Sequence, residues 1–396
     1  ASSGKGGFGA APAATTKKSS KVQDDYAAFP ALDPGVKETL APFVGDIMEA
    51  QDLPTEMYER LAQIYGFRNF NYLEETISDD ESADDSSDKS SAMSFEDLLS
   101  TGSAATEEDK TPSSDFSDLL KPSLGSDLNS LLATATGSED IAADDDGPID
   151  VAQDLPISKL PPFEKFKVLH VDPLVLSVED FFTDDECDRY VSFSEAPPRN
   201  FDSPLQSRSK TVGKDSQAQS QRTSTTWYHH YKGVPELMAK AARLFGVDRI
   251  DQFEEPQTVR YRRSEKFTWH LDALAPGGDP IAKAGQRTAT LLVYLTDLAV
   301  EEGGATMFRD LGGADGPLKV QPKKGSALVF FPAAAGILKA PLDIRTLHCG
   351  EAVAEDSTSD KWIAQLWLRE KSYKPTAPPG NAHSKASEAV EKYCNK

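Results

Sequence analysis

The stretch "RTATLLVYLTDLAVEEGGATMF", residues 287–308, predicts two β-strands on either side of a Glu/Gly turn. Both runs are rich in the β-branched, aromatic and aliphatic residues that strands favour. Runs of the same kind, separated by turn clusters, occur before and after it: "QTVRYR", "LKVQP", "SALVFFP", "IRTLHCGEAV" and "KWIAQLWLRE". This succession of short strands predicts a mainly β domain, either a barrel or a sandwich.

Two helices are predicted before these strands. The stretch "PLVLSVEDFFTDDECDRYVSFSEA" is typical of a strand followed by a helix that is capped near Thr183. The stretch "PELMAKAARLFG" has the spacing of an amphipathic helix and ends at Gly246. Since no βαβ alternation follows, these helices are expected to support the β domain.

The chain has 396 residues and a net charge of −22, and the acidic excess is confined to its N-terminal part. Residues 1–155 contain 10 Lys and Arg against 32 Asp and Glu, whereas residues 156–375 are nearly neutral. The near-neutral β domain argues against a nucleic-acid partner. The apolar share of 38% is low for a globular chain, which indicates that part of the chain lies outside a folded core.

Changes in composition divide the chain into five segments. Apolar residues at helical spacing in "PTEMYERLAQIYGF" and "VKETLAPFVGDIMEA" predict two short helices, and the acidic, Ser-rich stretch after them has the composition of disorder. We therefore expect a disordered tail at 1–25, a small helical segment at 26–75, a disordered acidic linker at 76–155, the β domain at 156–375 and a flexible tail at 376–396.

A Leu-Leu pattern recurs within the acidic linker, in "SFEDLLS", "DFSDLLK" and "SDLNSLL". It is either a chance product of the biased composition or a set of short motifs that fold onto the groove of a protein partner. Both interpretations stay open from the sequence.

The cysteine content and the apolar runs bear on the compartment. The three cysteines form no close pair, which argues against a disulfide scaffold and favours a reducing, intracellular compartment. No apolar run reaches the length of a membrane span. The opening "ASSGKGGFGAAPAATTKKSSK" is compatible with the remnant of an organelle-targeting peptide and equally with a plain tail.

A pattern of metal ligands begins in "FTWHLDALAPGG", where His270 precedes Asp272 by two residues. Alternate residues of a strand face the same side, so both side chains are expected to point at one spot. His348, in "IRTLHCGEAV", lies on another predicted strand of the same domain. Two histidines and one carboxylate form the facial triad of non-haem Fe(II) oxygenases, but a similar set serves zinc hydrolases. The spacing leaves iron and zinc open.

A lysine and two hydroxyl-bearing residues surround this pattern. Lys361 opens the largely apolar strand "KWIAQLWLRE", where a buried ammonium needs an anionic partner such as a dicarboxylate. The alternatives are a lysine that reaches solvent or pairs with a neighbouring acid. Tyr261 and Thr306 lie on nearby predicted strands and either donate to the same carboxylate or serve as ordinary strand residues.

Several segments, taken in order, resemble the catalytic domain of prolyl 4-hydroxylases, which are Fe(II)- and 2-oxoglutarate-dependent dioxygenases. They are "VRYRRSEKFTWHLDA", "RTATLLVYLTDLAVEEGGATMF", "VQPKKGSALVFFP" and "LHCGEAV" followed by "DKWIAQLWLRE". Upstream, "VLSVEDFFTDDECDRYV" is similar to the strand and helix that open that domain, and "QRTSTTW" to its Arg-Thr-Ser segment. The resemblance leaves out residues 1–155.

The resemblance implies a double-stranded β-helix, or jelly roll, and an enzyme that uses Fe(II), 2-oxoglutarate and O2, with ascorbate as a further cofactor. It implies that Lys361 pairs with the distal carboxylate of 2-oxoglutarate, helped by Tyr261 and Thr306. The product would be a hydroxylated peptide, in the first place at proline, with succinate and CO2. It also implies three iron ligands: His270, Asp272 and His348.

The sequence departs from the family on the substrate side. The metal histidine is flanked by Phe267, Trp269 and Leu271 where the family often has Tyr and Pro, and the Arg-Thr-Ser segment continues as Thr-Thr-Trp instead of Ser-Gly. Hydroxylation of another residue or of a small molecule therefore stays an alternative, as does a non-catalytic scaffold that recruits partners through the acidic linker. Three residues of this region are predicted to contact the substrate: Arg222, Trp227 and Tyr228.

Overall fold

The computed structural model describes residues 32–72, 155–196, 205–208, 222–274, 279–313, 316–335, 342–375 and 384–396. The predicted tail at 1–25 and nearly all of the predicted acidic linker, with its Leu-Leu pattern, lie outside these residues. Within them, no helix combines the length and the apolar character that crossing a membrane would require.

Thirteen strands of the described residues form two antiparallel sheets. The nine-stranded sheet has the order β1-β2-β3-β11-β8-β13-β6-β5-β4, and the four-stranded sheet has the order β10-β9-β12-β7. The prediction of a mainly β, jelly-roll fold is confirmed, although these strands stay in two sheets and do not close into a barrel. The strands are β1 Ile47–Glu49, β2 Lys165–His170, β3 Val175–Val178, β4 Leu205–Arg208, β5 Thr225–Tyr228, β6 Gln257–Tyr261, β7 Phe267–His270, β8 Arg287–Tyr294, β9 Thr306–Gly313, β10 Gly316–Val320, β11 Ala327–Phe330, β12 His348–Gly350 and β13 Lys361–Arg369.

Helices of the described residues lie before, between and after these strands. Both helices predicted ahead of the β domain form as expected: Thr183 accepts a hydrogen bond from the backbone N–H of Glu186, and Gly246 ends its helix with a left-handed φ of 63°. The helices are α1 Pro34–Leu40, α2 Thr55–Gln63, α3 Asp184–Glu195, α4 Pro235–Phe245, α5 Asp279–Ala284 and α6 Ser384–Cys394.

Two apolar clusters lie on opposite faces of the nine-stranded sheet. The larger cluster joins the sheet to the helices, and the smaller one lies between the two sheets. Successive residues of β13 show the division, because Trp362 belongs to the larger cluster and Ile363 to the smaller one. Alternation along each strand therefore decides which side chains face the space between the sheets.

Residues 32–72 pack directly onto the β domain. Strand β1 pairs with β2, with Met48 opposite Phe166, and Met57 and Leu61 of α2 are 1% exposed. The prediction of a helix over "VKETLAPFVGDIMEA" is wrong beyond its first half, because Pro42 and the positive φ of Gly45 interrupt it and the chain continues into β1.

The C-terminal segment predicted as a flexible tail contains α6, which is a correction to the sequence analysis. Ala386, Val390 and Cys394 recur every four residues and are buried in the larger cluster, while the Tyr393 hydroxyl donates to Glu186 at 2.8 Å. The apolar stripe is too short to signal a stable helix by itself, so the helix is stabilised by packing on the β domain.

Candidate metal centre and co-substrate pocket

Three predicted ligands meet at one point between the sheets. His270 ends β7 and His348 begins β12, and the two residues are cross-strand partners whose ring centroids are 4.2 Å apart. The Asp272 carboxylate lies 3.7 Å from His270 Nε2 and 3.6 Å from His348 Nε2. Three potential ligand atoms, one from each residue, all lie within 4.8 Å of one another.

Asp272 does not share a strand with His270, contrary to the sequence-based expectation. Strand β7 ends at His270 and the chain bends, so the carboxylate is placed by its contacts instead of by strand alternation. The Thr290 hydroxyl of β8 donates to Asp272 Oδ2 at 2.9 Å, and Arg287 Nη1 donates to the Asp272 carbonyl at 3.3 Å. Strands β7 and β12 of the four-stranded sheet thus hold the histidines, and β8 of the nine-stranded sheet fixes the carboxylate.

Backbone carbonyls set the tautomers of both histidines. His270 Nδ1 lies 2.7 Å from the Thr268 carbonyl, and His348 Nδ1 lies 3.0 Å from the Thr346 carbonyl. Because a carbonyl can only accept, each Nδ1 carries a proton and each Nε2 presents its lone pair toward Asp272.

The charge states of these groups also suit a metal. Burial, aided by the nearby His348, lowers the pKa of His270 to about 3, so its imidazole is neutral at physiological pH. Burial opposes ionisation of Asp272, but the neighbouring histidines and Arg287 outweigh it and lower the pKa of that carboxyl. The neutral imidazole of His270, the Nε2 atom of His348 and one carboxylate fit a divalent cation such as Fe(II) or Zn(II).

Removing the hydroxyl of Thr290 should weaken metal binding without unfolding the sheet. Thr290→Val keeps the shape and β-propensity of the residue but leaves Asp272 Oδ2 without this donor. A loss of roughly tenfold in Fe(II) affinity is expected in an anaerobic titration. Thr288→Val is the control, since that hydroxyl donates to the Leu368 carbonyl at 3.4 Å, and equal affinities in the two variants would contradict the assigned role.

Lys361 lies on the same inner face, next to two tyrosines. It begins β13 opposite Tyr261 of β6, and its ammonium is 5.3 Å from the Tyr261 ring and 5.9 Å from the Tyr294 ring. The side chain is 2% exposed, so it does not reach solvent. Burial lowers the pKa of Lys361 to about 8.

Neither neighbouring acid neutralises Lys361. The Asp360 carboxylate is 4.0 Å from Arg260, and Glu370 accepts from the backbone N–H of Gln286 at 3.5 Å. In the described part of the chain, Lys361 forms no ion pair with a carboxylate. A buried cation without a counterion is a receptor for an anion.

Tyr294 is not among the residues predicted from the sequence, yet it links the predicted residues of this pocket. Its hydroxyl donates to the Thr306 hydroxyl at 2.9 Å, and its ring is fully buried in the cluster between the sheets. Tyr294 follows Thr290 by four residues on β8, and residues separated by an even number of positions on a strand face the same side. That alternation in "TLLVY" is the signal that identifies it once one residue of the face is known.

The predicted substrate residues separate onto two faces. The Arg222 guanidinium lies 4.7 Å from the centroid of the Phe267 ring, which stacks on His270 with a centroid distance of 3.6 Å. Tyr228 is opposite Gln257, whereas Trp227 faces the helices and stacks on Trp362 at 5.1 Å. The structure therefore places Arg222 beside the metal ligands and Trp227 away from them.

Family comparison agrees with this arrangement. Residues 256–369, from β6 to β13, match the model of the 2OG-Fe(II) oxygenase superfamily. The matched range contains all three predicted ligands and Lys361. Over residues 256–369 the chain is therefore similar to 2OG-Fe(II) oxygenase domains.

Individual relatives are similar over the same region. Prolyl 4-hydroxylase 1 of Arabidopsis thaliana is 29% identical over 219 residues, which cover 52% of this chain and 72% of that protein. A mimivirus protein named as a prolyl 4-hydroxylase is 33% identical over 144 residues, 35% of this chain and only about half (54%) of its own length. The viral collagen prolyl hydroxylase of Paramecium Bursaria Chlorella virus-1, solved with 2OG, is 23% identical with a TM-score of 0.34, covering 49% of this chain and 95% of that one.

Proposed function

We propose that the protein is an Fe(II)- and 2-oxoglutarate-dependent dioxygenase that hydroxylates a peptidyl residue, with proline as the favoured one. The observation that carries the proposal is the combination, on one inner face, of a three-residue donor group and a buried lysine that forms no ion pair with a carboxylate of the described residues. A zinc hydrolase would need the first feature but not the second.

In this proposal His270, Asp272 and His348 bind Fe(II). The bound metal supplies the oxidative chemistry by which O2 and 2-oxoglutarate give succinate, CO2 and a hydroxylated product. The protein contributes two imidazoles, oriented by the Thr268 and Thr346 carbonyls, and an ionised carboxylate. Since the ligands are held before the metal arrives, little reorganisation is needed for binding.

Lys361 pairs with the distal carboxylate of 2-oxoglutarate. The hydroxyls of Tyr261, Tyr294 and Thr306 lie on the same inner face and are positioned to donate to that carboxylate or to one another. Apolar side chains such as Phe308 and Phe330, which contact the His348 ring, separate the pocket from water. A dry pocket strengthens the pairing of the ammonium with an anion.

The peptide is expected to bind at the open side of His270, next to Arg222. The stacked series of Arg222, Phe267 and His270 connects the Arg-Thr-Ser segment to the metal ligands. Support for proline comes from the curated relatives, which are named as prolyl 4-hydroxylases. Trp269, 36% exposed beside His270, stands where the family often has proline, and this difference favours a non-proline substrate as the second candidate.

The use of 2-oxoglutarate should decline in alkaline solution. The ammonium form of Lys361 binds the dianion, and its pKa of about 8 in the free protein means that this form predominates below pH 8 and is progressively lost above it. The KM for 2-oxoglutarate is therefore expected to stay level up to about pH 8 and then to rise by about tenfold per pH unit. Lys361→Arg keeps its charge throughout this range, so a rise of the same size in that variant would rule out Lys361 as the cause.

A peptide assay separates the two candidate substrates. The full chain is incubated with Fe(II), 2-oxoglutarate, O2 and ascorbate, with a proline-rich peptide or with the same peptide carrying alanine for proline. Succinate formation that depends on proline, with the gain of one oxygen in the peptide mass, is the expected result. Succinate formation that both peptides leave unchanged would support the second candidate. A scaffold role for the Leu-Leu pattern stays a prediction.

A further inference from the structure

A buried ion-pair chain connects the N-terminal segment to the turn that precedes His348. Arg60, on α2, donates to Asp172 Oδ1 at 2.5 Å, and the two side chains are 4% and 6% exposed. Arg345 donates to the same oxygen at 3.1 Å. Asp172 is therefore shared between an arginine of residues 32–72 and an arginine next to the metal centre.

Arg345 transmits this contact to a single short turn. Its guanidinium forms two hydrogen bonds to the Asp343 carboxylate, at 2.8 and 2.7 Å, and Asp343 caps the turn Ile344–Thr346. The carbonyl of Thr346 then accepts the hydrogen bond from His348 Nδ1. The direction of that carbonyl sets the rotation of the ring and hence the direction of Nε2.

The same N-terminal segment also packs against the residue that follows a second neighbour of His348. Tyr65, five residues after Arg60, stacks on Phe331 with a centroid distance of 4.3 Å. Phe330, the preceding residue, meets the His348 ring edge-on at 4.8 Å. Residues 32–72 thus reach the surroundings of His348 at two places: an ion pair leads to the turn before it, and an aromatic contact is made with the residue after Phe330.

We propose that Arg60 is a positioning residue of the metal centre, and that residues 32–72 hold His348 in its ligating orientation through Asp172 and Arg345. The inference rests on the proposed iron-binding function. Arg345 lies within the range 256–369 that matches the oxygenase superfamily, whereas Arg60 and Asp172 lie before it. The positioning is therefore contributed largely from outside the matched part of the domain.

The test compares Fe(II) affinity in the full-length protein, titrated without O2 in the presence of 2-oxoglutarate. Arg60→Met removes the charge but leaves Asp172 paired with Arg345, so the buried carboxylate keeps a partner. Arg60→Met is expected to weaken Fe(II) binding about tenfold, and Arg60→Lys to restore most of it. Leu61→Val is the matched control, because it disturbs the packing of the same helix without touching Asp172.

The outcomes separate positioning from simple stabilisation. A folded Arg60→Met protein with the Fe(II) affinity of the wild type, or of Leu61→Val, would overturn the inference. Arg345→Lys gives a second comparison if Arg60→Met does not fold, since it keeps a charge near Asp172 but loses the double contact with Asp343, and wild-type affinity there would also overturn it. If wild type binds Fe(II) no better than His270→Ala, both the inference and the proposed function fail.

Discussion

Replacing His270 with alanine is expected to abolish 2-oxoglutarate turnover while the protein keeps its fold. The imidazole supplies one of three donor atoms, and two remaining ligands hold a metal far more weakly. Its side chain is partly exposed at the end of β7 and does not belong to either apolar cluster, so its loss leaves the core intact. Succinate measured by NMR, with thermal unfolding of the same sample, provides the two readouts.

A histidine outside the donor group provides the control for this variant. His230→Asn keeps a side-chain acceptor for the backbone N–H of Lys232, which His230 Nδ1 accepts at 3.2 Å, and should retain turnover. Unchanged turnover in His270→Ala would show that the metal site is elsewhere. A midpoint of unfolding far below that of the wild type would show that His270 acts mainly in the fold.

Lys361→Met is expected to produce the second large effect, on the KM for 2-oxoglutarate. Removing one member of a buried charge pair costs about 2–5 kcal/mol, which corresponds to about 30- to 4,000-fold in affinity. The unliganded protein should be at least as stable as before, because the substitution removes a buried ammonium that has no carboxylate partner in the described part of the chain. If Lys361 only supported the fold, its replacement would lower the stability of the protein. Weaker 2-oxoglutarate binding together with unchanged or higher stability therefore indicates a binding role.

The control for Lys361→Met is a lysine on the neighbouring sheet. Lys319 of β10 is 54% exposed and pairs with Glu351, so Lys319→Met changes the net charge equally without entering the pocket. A similar rise of KM in both variants would mean that general charge, and not the pocket, attracts the co-substrate. A KM that stays at the wild-type value in Lys361→Met would remove the assigned role.

Local signals in the sequence account for much of the fold. The cap at Thr183, the stop at Gly246 and the strand runs around residues 287–308 are each encoded within a few neighbours, and each forms as expected. The failures lie where distant contacts decide. Residues 384–394 become a helix only because the β domain covers their apolar stripe.

The same distinction applies to the site. His270, His348 and Lys361 are predictable because each lies at the end of a recognisable strand, and the structure brings all three to the space between the sheets. The face of Trp227 depends on its pairing with Thr258, which the sequence does not specify.

Contacts across long sequence distances are the least predictable part of the site. The pairing of Arg60 with Asp172 joins residues 112 positions apart. No local pattern predicts such a pair. The residues next to Arg60 carry no information about Asp172, and those next to Asp172 carry none about Arg60. Only the folded structure shows that this ion pair lies beside the turn before His348.

The most direct measurement is succinate formation from 2-oxoglutarate by the purified full chain with Fe(II) and O2, compared among wild type, Asp272→Ala and Lys361→Met. We expect succinate from the wild type, none from Asp272→Ala at any co-substrate concentration, and recovery of Lys361→Met as 2-oxoglutarate is raised. Equal succinate formation by all three folded proteins, or none by wild type that has bound Fe(II), would contradict the assignment of the donor group and Lys361 as a 2-oxoglutarate dioxygenase site.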